Sequence, residues 1–326
     1  PAMKLIKRAA LCLLLIFLVV FPLSYDNAYV HILLSQTLVN IVIVMGLNFI
    51  TGLTGQMNLG TAGIMGLGAY TAALFSTRLG VSPWIGFLLA IVMGLAIGWM
   101  LGYPILRLKG VYLSLTTIGF SEIVRLILTN WVELTGGTMG VQGIPHISLF
   151  GYALDTSRKV YYLYLAAVVL LAFTAWRIVH SKWGRVFKAI RDNVEAVEAC
   201  GIDIAKIKIQ AFTLATVFGC LGGAMYAYLM GYLNPTTFTT DLSANYLIMM
   251  MIGGIGSVPG NILGTAMITL LPECLRFLGT NYWLYFSIIA LLFAIFLPNG
   301  LVSLFGGEKN LGRFWMPKKQ KSGRRA

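Results

Sequence analysis

The chain has 326 residues with a formal net charge of +13; hydrophobic residues make up 58% of it and charged residues only 11%. An ordinary soluble domain carries about 25% charged residues. A soluble fold of this length cannot cover so much apolar surface, whereas lipid solvates it directly. The basic residues sit in short clusters between apolar runs, the pattern of loops beside anionic lipid and not of a nucleic-acid surface.

A spanning helix needs roughly 20 mostly apolar residues. Taken in chain order, the sequence predicts an all-α, polytopic bundle of about ten spans, near 9–25, 30–50, 61–78, 84–106, 111–131, 160–177, 209–233, 244–253, 261–279 and 283–304. Together they form a single transmembrane domain over 1–326. Residues 4–23 imitate a secretory signal but lack a small-residue cleavage site, so the first run reads as a retained helix. The eighth run is too short alone, and must borrow from the glycines after it or be a broken helix.

With the N-terminus inside, the inside segments hold 19 of the 24 Lys and Arg residues and the outside segments three. That asymmetry predicts both termini in the cytoplasm. It makes 178–208 an inside loop and 305–326 a basic cytoplasmic tail. The outside loop 132–159 is rich in Gly and Thr.

Glycine carries the most information within the spans. Gly94, Gly98 and Gly102 recur every four residues, as do Gly219, Gly223, Ala227 and Gly231, and Gly256, Gly260 and Gly264. Small residues on one face let helix backbones approach closely, where packing drives association. Two stretches, Thr51 to Gly60 and Gly253 to Gly260, mix helix-breakers with polar side chains. Each is either a short turn or broken backbone lining a path or hinge. A short likeness between Asn58–Ala62 and Asn261–Ala266 leaves an internal duplication open.

Charges inside spans are few. Glu122 with Arg125, and Glu273 with Arg276, lie at i, i+3. That spacing allows a pair on one helix face and reads as a structural or gating ion pair. Polar side chains in or beside spans need a partner or a cavity, which marks Gln56, Asn58, Thr61, Thr116, Thr117 and Ser121 as candidates for a translocation path. No nucleotide loop, zinc-protease motif or nucleophile elbow occurs, so no catalytic or metal residue is assigned.

Within the inside loop, Gly184 to Gly201 reads as one amphipathic helix bounded by glycines. Phe187, Ile190, Val194 and Val197 form its apolar stripe. Lys188, Arg191, Asp192, Glu195 and Glu198 cover the other side. Helices that lie on a membrane are usually basic on the polar face, so the acids suit a protein groove better.

Glu195-Ala196-Val197, then three residues and Gly201, resembles the E-A-A-x-x-x-G loop of permease subunits in bacterial ATP-binding-cassette importers. The third position here is Val, and the downstream I-x-L-P is missing. Gly46-Leu47-Asn48, Gly52 to Gly60, Gly68-Ala69-Tyr70, Arg107 to Tyr112, Gly119 to Arg125, Gly184 to Asn193, Gly253 to Ser257 and Leu271-Pro272-Glu273 resemble segments of the branched-chain amino-acid permeases of that class. The resemblance covers roughly residues 30–305 and is closer to the LivM than to the LivH type.

It implies half of a translocation path for leucine, isoleucine or valine, in a bacterial inner membrane. The implied partners are a second, homologous permease of the LivH type, two ATPase subunits, and a periplasmic or lipid-anchored binding protein. No cofactor is expected on this chain; ATP and Mg would sit on the ATPases. Residues Arg185, Phe187, Ile190, Arg191, Asp192, Val194, Glu195, Ala196, Val197 and Gly201 would couple to the ATPase. Urea- and amide-transporting relatives share these motifs and are the alternative substrate class. An ion-coupled secondary transporter is the alternative mechanism, although it would favour unpaired mid-span carboxylates.

Overall fold

The computed structural model describes residues 27–105, 108, 110–149, 152–153, 156–276, 287–288, 291–293 and 300–301. The expected first span at 9–25, most of the last at 283–304, the tail at 305–326, and Arg107 and Lys109 lie outside them. The described residues form a helical bundle. Its helices are α1 (Ala28–Leu47), α2 (Thr61–Arg78), α3 (Pro83–Ile105), α4 (Val111–Asn130), α5 (Val132–Thr135), α6 (Ser157–His180), α7 (Lys182–Asp192), α8 (Val194–Ala199), α9 (Ile204–Met230), α10 (Thr240–Gly253) and α11 (Val258–Cys274). The one ladder among them is a two-residue hairpin in the 132–159 loop, β1 (Ser148–Leu149) against β2 (Tyr152–Ala153).

Five of these stretches are long and apolar enough to cross a bilayer: Ala28–Leu53, Pro83–Pro104, Val111–Asn130, Ser157–His180 and Ile204–Met230. The other three expected spans are shorter or more polar helices, for a structural reason. At 1.5 Å per residue, α10 with its 14 residues reaches about 21 Å and α11 with 17 about 26 Å, both under the roughly 30 Å of a hydrocarbon core. The non-helical backbone between them, 254–257, is buried or half-buried in protein, the only setting in which irregular backbone is tolerated at membrane depth.

Helix α9 is the central post, and the glycine stripes explain how its neighbours reach it. A Cβ on Gly94 would lie 2.7 Å from the Val217 Cα, and one on Gly98 2.5 Å from the Thr213 Cα. Thr216 Oγ1 then donates to the Gly94 carbonyl at 2.7 Å, a cross-helix bond available only at that separation. On the α2 side a Cβ on Gly68 would meet the Cys220 backbone at 2.3 Å, and one on Gly223 the Met65 carbonyl at 2.1 Å. Backbone contact of this kind replaces the hydrophobic drive that lipid cannot supply. Gly264 packs on α10 in the same way: a Cβ there would lie 2.4 Å from the Gly253 Cα. Gly231 serves differently: it ends α9 in the left-handed conformation, at φ 67°.

The outer surface is apolar. Helix α3 exposes Trp84, Leu88, Val92, Leu95, Trp99 and Met100, and α6 exposes Val169, Leu170, Phe173 and Trp176. Rows of this kind, with tryptophans toward the helix ends, suit lipid contact. At one end of the bundle the 132–159 loop closes over the chain. Val141 bridges Leu233, the Trp84 indole donates to the Ser148 carbonyl at 2.7 Å, and Arg78 donates to the Glu133 carbonyl.

Candidate translocation and coupling site

Both glycine-rich stretches are broken backbone. Helix α1 passes at Asn48 into a π-helical turn, Asn48–Leu53, every residue of which is buried. The turn closes when the Gln56 amide donates to the Ile50 carbonyl at 3.3 Å, and Gly55 follows at φ 73°. No regular helix is formed from 55 to 60. The second break lies between α10 and α11, with Gly254 at φ 123° and Gly256 at φ 83°. The two breaks touch. Asn48 Oδ1 accepts from the Gly256 amide at 2.8 Å, and it fills the space beside Gly52, where a Cβ would lie 1.9 Å from that oxygen.

The α2 N-terminus is sunk in the bundle. Gly60 lies against Thr117, six residues into α4, so α2 starts about 9 Å inside the nearby end of that helix. A helix start leaves amide donors without intrahelical partners, and here they are met from three directions. Asn58 Oδ1 takes the Gly60 amide at 2.9 Å. From α4, Thr117 Oγ1 takes the Leu59 amide at 3.1 Å and Ser121 Oγ takes the Gly63 amide at 2.9 Å. From α10, Ser243 Oγ takes the Ala62 amide at 2.9 Å. One side-chain oxygen of Gln56 and the hydroxyl of Thr61 are buried there without a hydrogen-bond partner.

The structure thus brings five of the six expected path residues together. Thr116 is apart: it is exposed and its hydroxyl bonds back to the Tyr112 carbonyl. Thr117 and Ser121 are capping groups first, since their oxygens are committed to α2. Residues without an expected role join the site. Asn40 connects the Thr269 hydroxyl to the Tyr246 hydroxyl, and Asn261 and Thr265 on α11 are fully buried with unpartnered polar atoms. The i, i+4, i+8 spacing of Asn261, Thr265 and Thr269 was the available signal. Ser243 had none, because its partner is 181 positions away.

Both i, i+3 charge pairs form. Arg125 Nε donates to both Glu122 carboxylate oxygens at 3.1 Å, midway along α4. Arg276 Nη1 meets Glu273 Oε1 at 3.2 Å, but astride the α11 terminus, with Glu273 in the last turn and Arg276 just past it, and not in mid-helix. Tyr29 also donates to that carboxylate, at 2.6 Å, linking α1 to α11 at the end far from the breaks.

Residues 184–201 are two helices, not one. Asn193 adopts an extended conformation, at φ −159°, and its side chain accepts from the Ala196 amide, which starts α8 anew. Gly184 is no boundary: α7 begins at Lys182 behind a Ser181 cap, and Gly184 packs where a Cβ would lie 2.1 Å from the Val179 carbonyl. Gly201 does follow the second helix, in the left-handed region at φ 77°. The expected apolar stripe is split as well. Phe187, Ile190 and Val197 are buried within this chain, while Val194 is exposed at 37%. Arg185, Asp192, Glu195, Ala196, Glu198 and Gly201 are exposed. Arg191 turns inward, and its Nη1 donates to the Gly52 carbonyl at 2.8 Å. Burial lowers the Arg191 pKa and the nearby Asp192 offsets part of that; a guanidinium stays protonated regardless. No group of three His, Cys, Asp or Glu able to hold a metal occurs among the described residues.

A family of membrane permeases described as "Branched-chain amino acid transport system / permease component" matches residues 29–296. The chain belongs to that family. It is 33% identical to the high-affinity branched-chain amino acid transport system permease protein LivM of Salmonella typhimurium, over 91% of this chain and 75% of that one. The LivM protein of Escherichia coli K12 matches with the same identity and coverage. A protein of Methanocaldococcus jannaschii, a probable branched-chain amino acid transport permease protein LivM, is 28% identical over 67% of each chain. No solved structure matches. The chain is therefore a polytopic helical membrane protein that serves as a transport subunit and not as an enzyme.

Proposed function

We propose that this chain is one permease half of an ATP-binding-cassette importer for leucine, isoleucine and valine. The reading is carried by the 33% identity over 91% of the chain to two LivM permeases. In this reading the protein sits in a bacterial inner membrane, and the Lys and Arg asymmetry supports both termini, α7 and α8 lying in the cytoplasm. The Arg191–Gly52 bond supports part of that arrangement, since it requires 178–208 and the end of the Ala28–Leu53 stretch to share one side. A homologous permease completes the path, a periplasmic binding protein delivers the amino acid, and two ATPases carrying ATP and Mg bind the exposed surface of α7 and α8. Arg185, Asp192, Val194, Glu195, Ala196 and Gly201 are the residues available to them.

In this reading the two breaks and the sunken start of α2 form the moving part of the path. Non-helical backbone at membrane depth suits a protein that must open alternately to two sides. Gln56, Thr61, Asn261 and Thr265 supply polar atoms not already used by the fold. The ion pair of Glu122 and Arg125 stiffens α4, which holds two of the α2 caps.

The test of the substrate is competition for uptake. The chain, its companion permease, the ATPases and the binding protein are reconstituted in liposomes, and labelled leucine is followed. Unlabelled isoleucine and valine should compete while urea and acetamide should not. Competition by the amides alone would overturn the substrate assignment.

A further inference from the structure

Arg191 is a charged residue of α7 that reaches into the membrane bundle. Its acceptor is unusual. In a continuous α-helix the Gly52 carbonyl would take the amide of residue 56. Here that amide goes to Ile50 instead, and Arg191 takes the Gly52 carbonyl. The π-helical turn and the guanidinium therefore fit one another: the turn frees an acceptor that the cation uses, and the cation satisfies a carbonyl that burial would leave orphaned.

The connection continues. Gly52 leaves room for Asn48 Oδ1, and that oxygen accepts from Gly256 in the second break. On the other side of the turn, Thr51 Oγ1 accepts from the Asn58 amide at 3.3 Å, and Asn58 caps α2 through Gly60. Helix α7 is thus joined to both breaks through a few hydrogen bonds. Its contacts through the buried Phe187 and Ile190 are apolar and less directional.

We propose that Arg191 is the positioning residue that ties movement of α7 to the two broken segments. The inference rests on the importer reading above and assigns the coupling step within it. In this role Arg191 acts through the Gly52 carbonyl. A shift of α7 along its axis pulls the π-helical turn, and with it the Gly256 turn and the α2 start. The apolar contacts of α7 remain when the latch is cut, so the helix still moves but the breaks no longer follow.

The experiment compares Arg191→Gln and Arg191→Lys in the full complex in liposomes. The Gln variant should assemble with the ATPases and hydrolyse ATP, while leucine moved per ATP falls about tenfold, the least expected for losing a charged hydrogen bond. The Lys variant keeps a charge and a donor without the planar fork and should recover part of the ratio. Uptake and hydrolysis falling in proportion would overturn the proposal, as would an unchanged ratio or loss of ATPase binding. A second measurement needs no partner: hydrogen exchange of residues 48–60 in the chain alone, in lipid nanodiscs. The Gln variant should exchange about tenfold faster there, and unchanged exchange would overturn the latch. Because this readout does not involve transport, it distinguishes failure of the latch from failure of the importer reading.

Discussion

Replacing Ser121 with Ala tests whether the sunken start of α2 is held by its caps. Ser121 is 1% exposed, and its hydroxyl accepts from the Gly63 amide at 2.9 Å. A Cβ on Gly63 would lie 2.7 Å from the Ser121 Cα, so the two backbones are in contact. The variant loses one oxygen, and the gap it leaves is too small for a water molecule. The Gly63 amide is then buried without a partner, at about 1–3 kcal/mol. That is an increase of about 5- to 150-fold in the local opening equilibrium. Hydrogen exchange of residues 59–64 in lipid nanodiscs reads this change directly. Thr116→Ala, five residues earlier on the exposed face of α4, is the control and should leave the segment at the wild-type rate. Unchanged exchange in Ser121→Ala would refute the capping argument, because a cap whose loss is not felt was never holding the helix end.

The split stripe of α7 and α8 makes Phe187 and Val194 respond oppositely. Phe187→Ala empties a site that is 1% exposed and should cost about 3–5 kcal/mol of stability, seen as a lower thermal midpoint in detergent; Val194→Asp should leave the midpoint unchanged and weaken ATPase co-purification. A midpoint drop in Val194→Asp would show that the stripe is whole. Gly223→Ala forces a Cβ to within 2.1 Å of the Met65 carbonyl and should cost about 1–3 kcal/mol by overpacking. Gly119→Ala meets no atom within 4 Å and should stabilise α4 by about 0.5–1 kcal/mol. Equal midpoints for the two would contradict the close packing of α2 on α9.

Much of this architecture was legible in the sequence for reasons that are local. Apolar runs mark helices, and glycine every fourth residue marks the face that meets another backbone, as Gly94 and Gly98 do on α9. The glycines and polar groups of Thr51 to Gly60 marked an interruption but left a turn and a break equally open; the buried π-helical turn decides for the break. The stripe at 187, 190, 194 and 197 misled because its 3, 4, 3 spacing is equally regular across a kink. The local signal was Asn193 followed by Glu195, an N-cap ahead of an acidic first turn. Nor can periodicity tell whether an apolar face is covered by the same chain or by a partner, and Phe187 and Ile190 turn out to face inward. The caps of α2 were beyond reach for another reason. Ser243 and Ala62 are neighbours only because α10 is folded against α2, and no short motif encodes a pair so far apart. Arg191 was visible as a charge but not as a charge directed at a carbonyl 139 positions earlier.

The most direct test of the account is the energy source. Liposomes containing the reconstituted complex are loaded with ATP and Mg, given binding protein and labelled leucine outside, and treated with a protonophore. The account predicts accumulation that continues with the protonophore present and stops when ATP is replaced by a non-hydrolysable analogue. Accumulation that collapses with the protonophore while ATP is still being hydrolysed would contradict it.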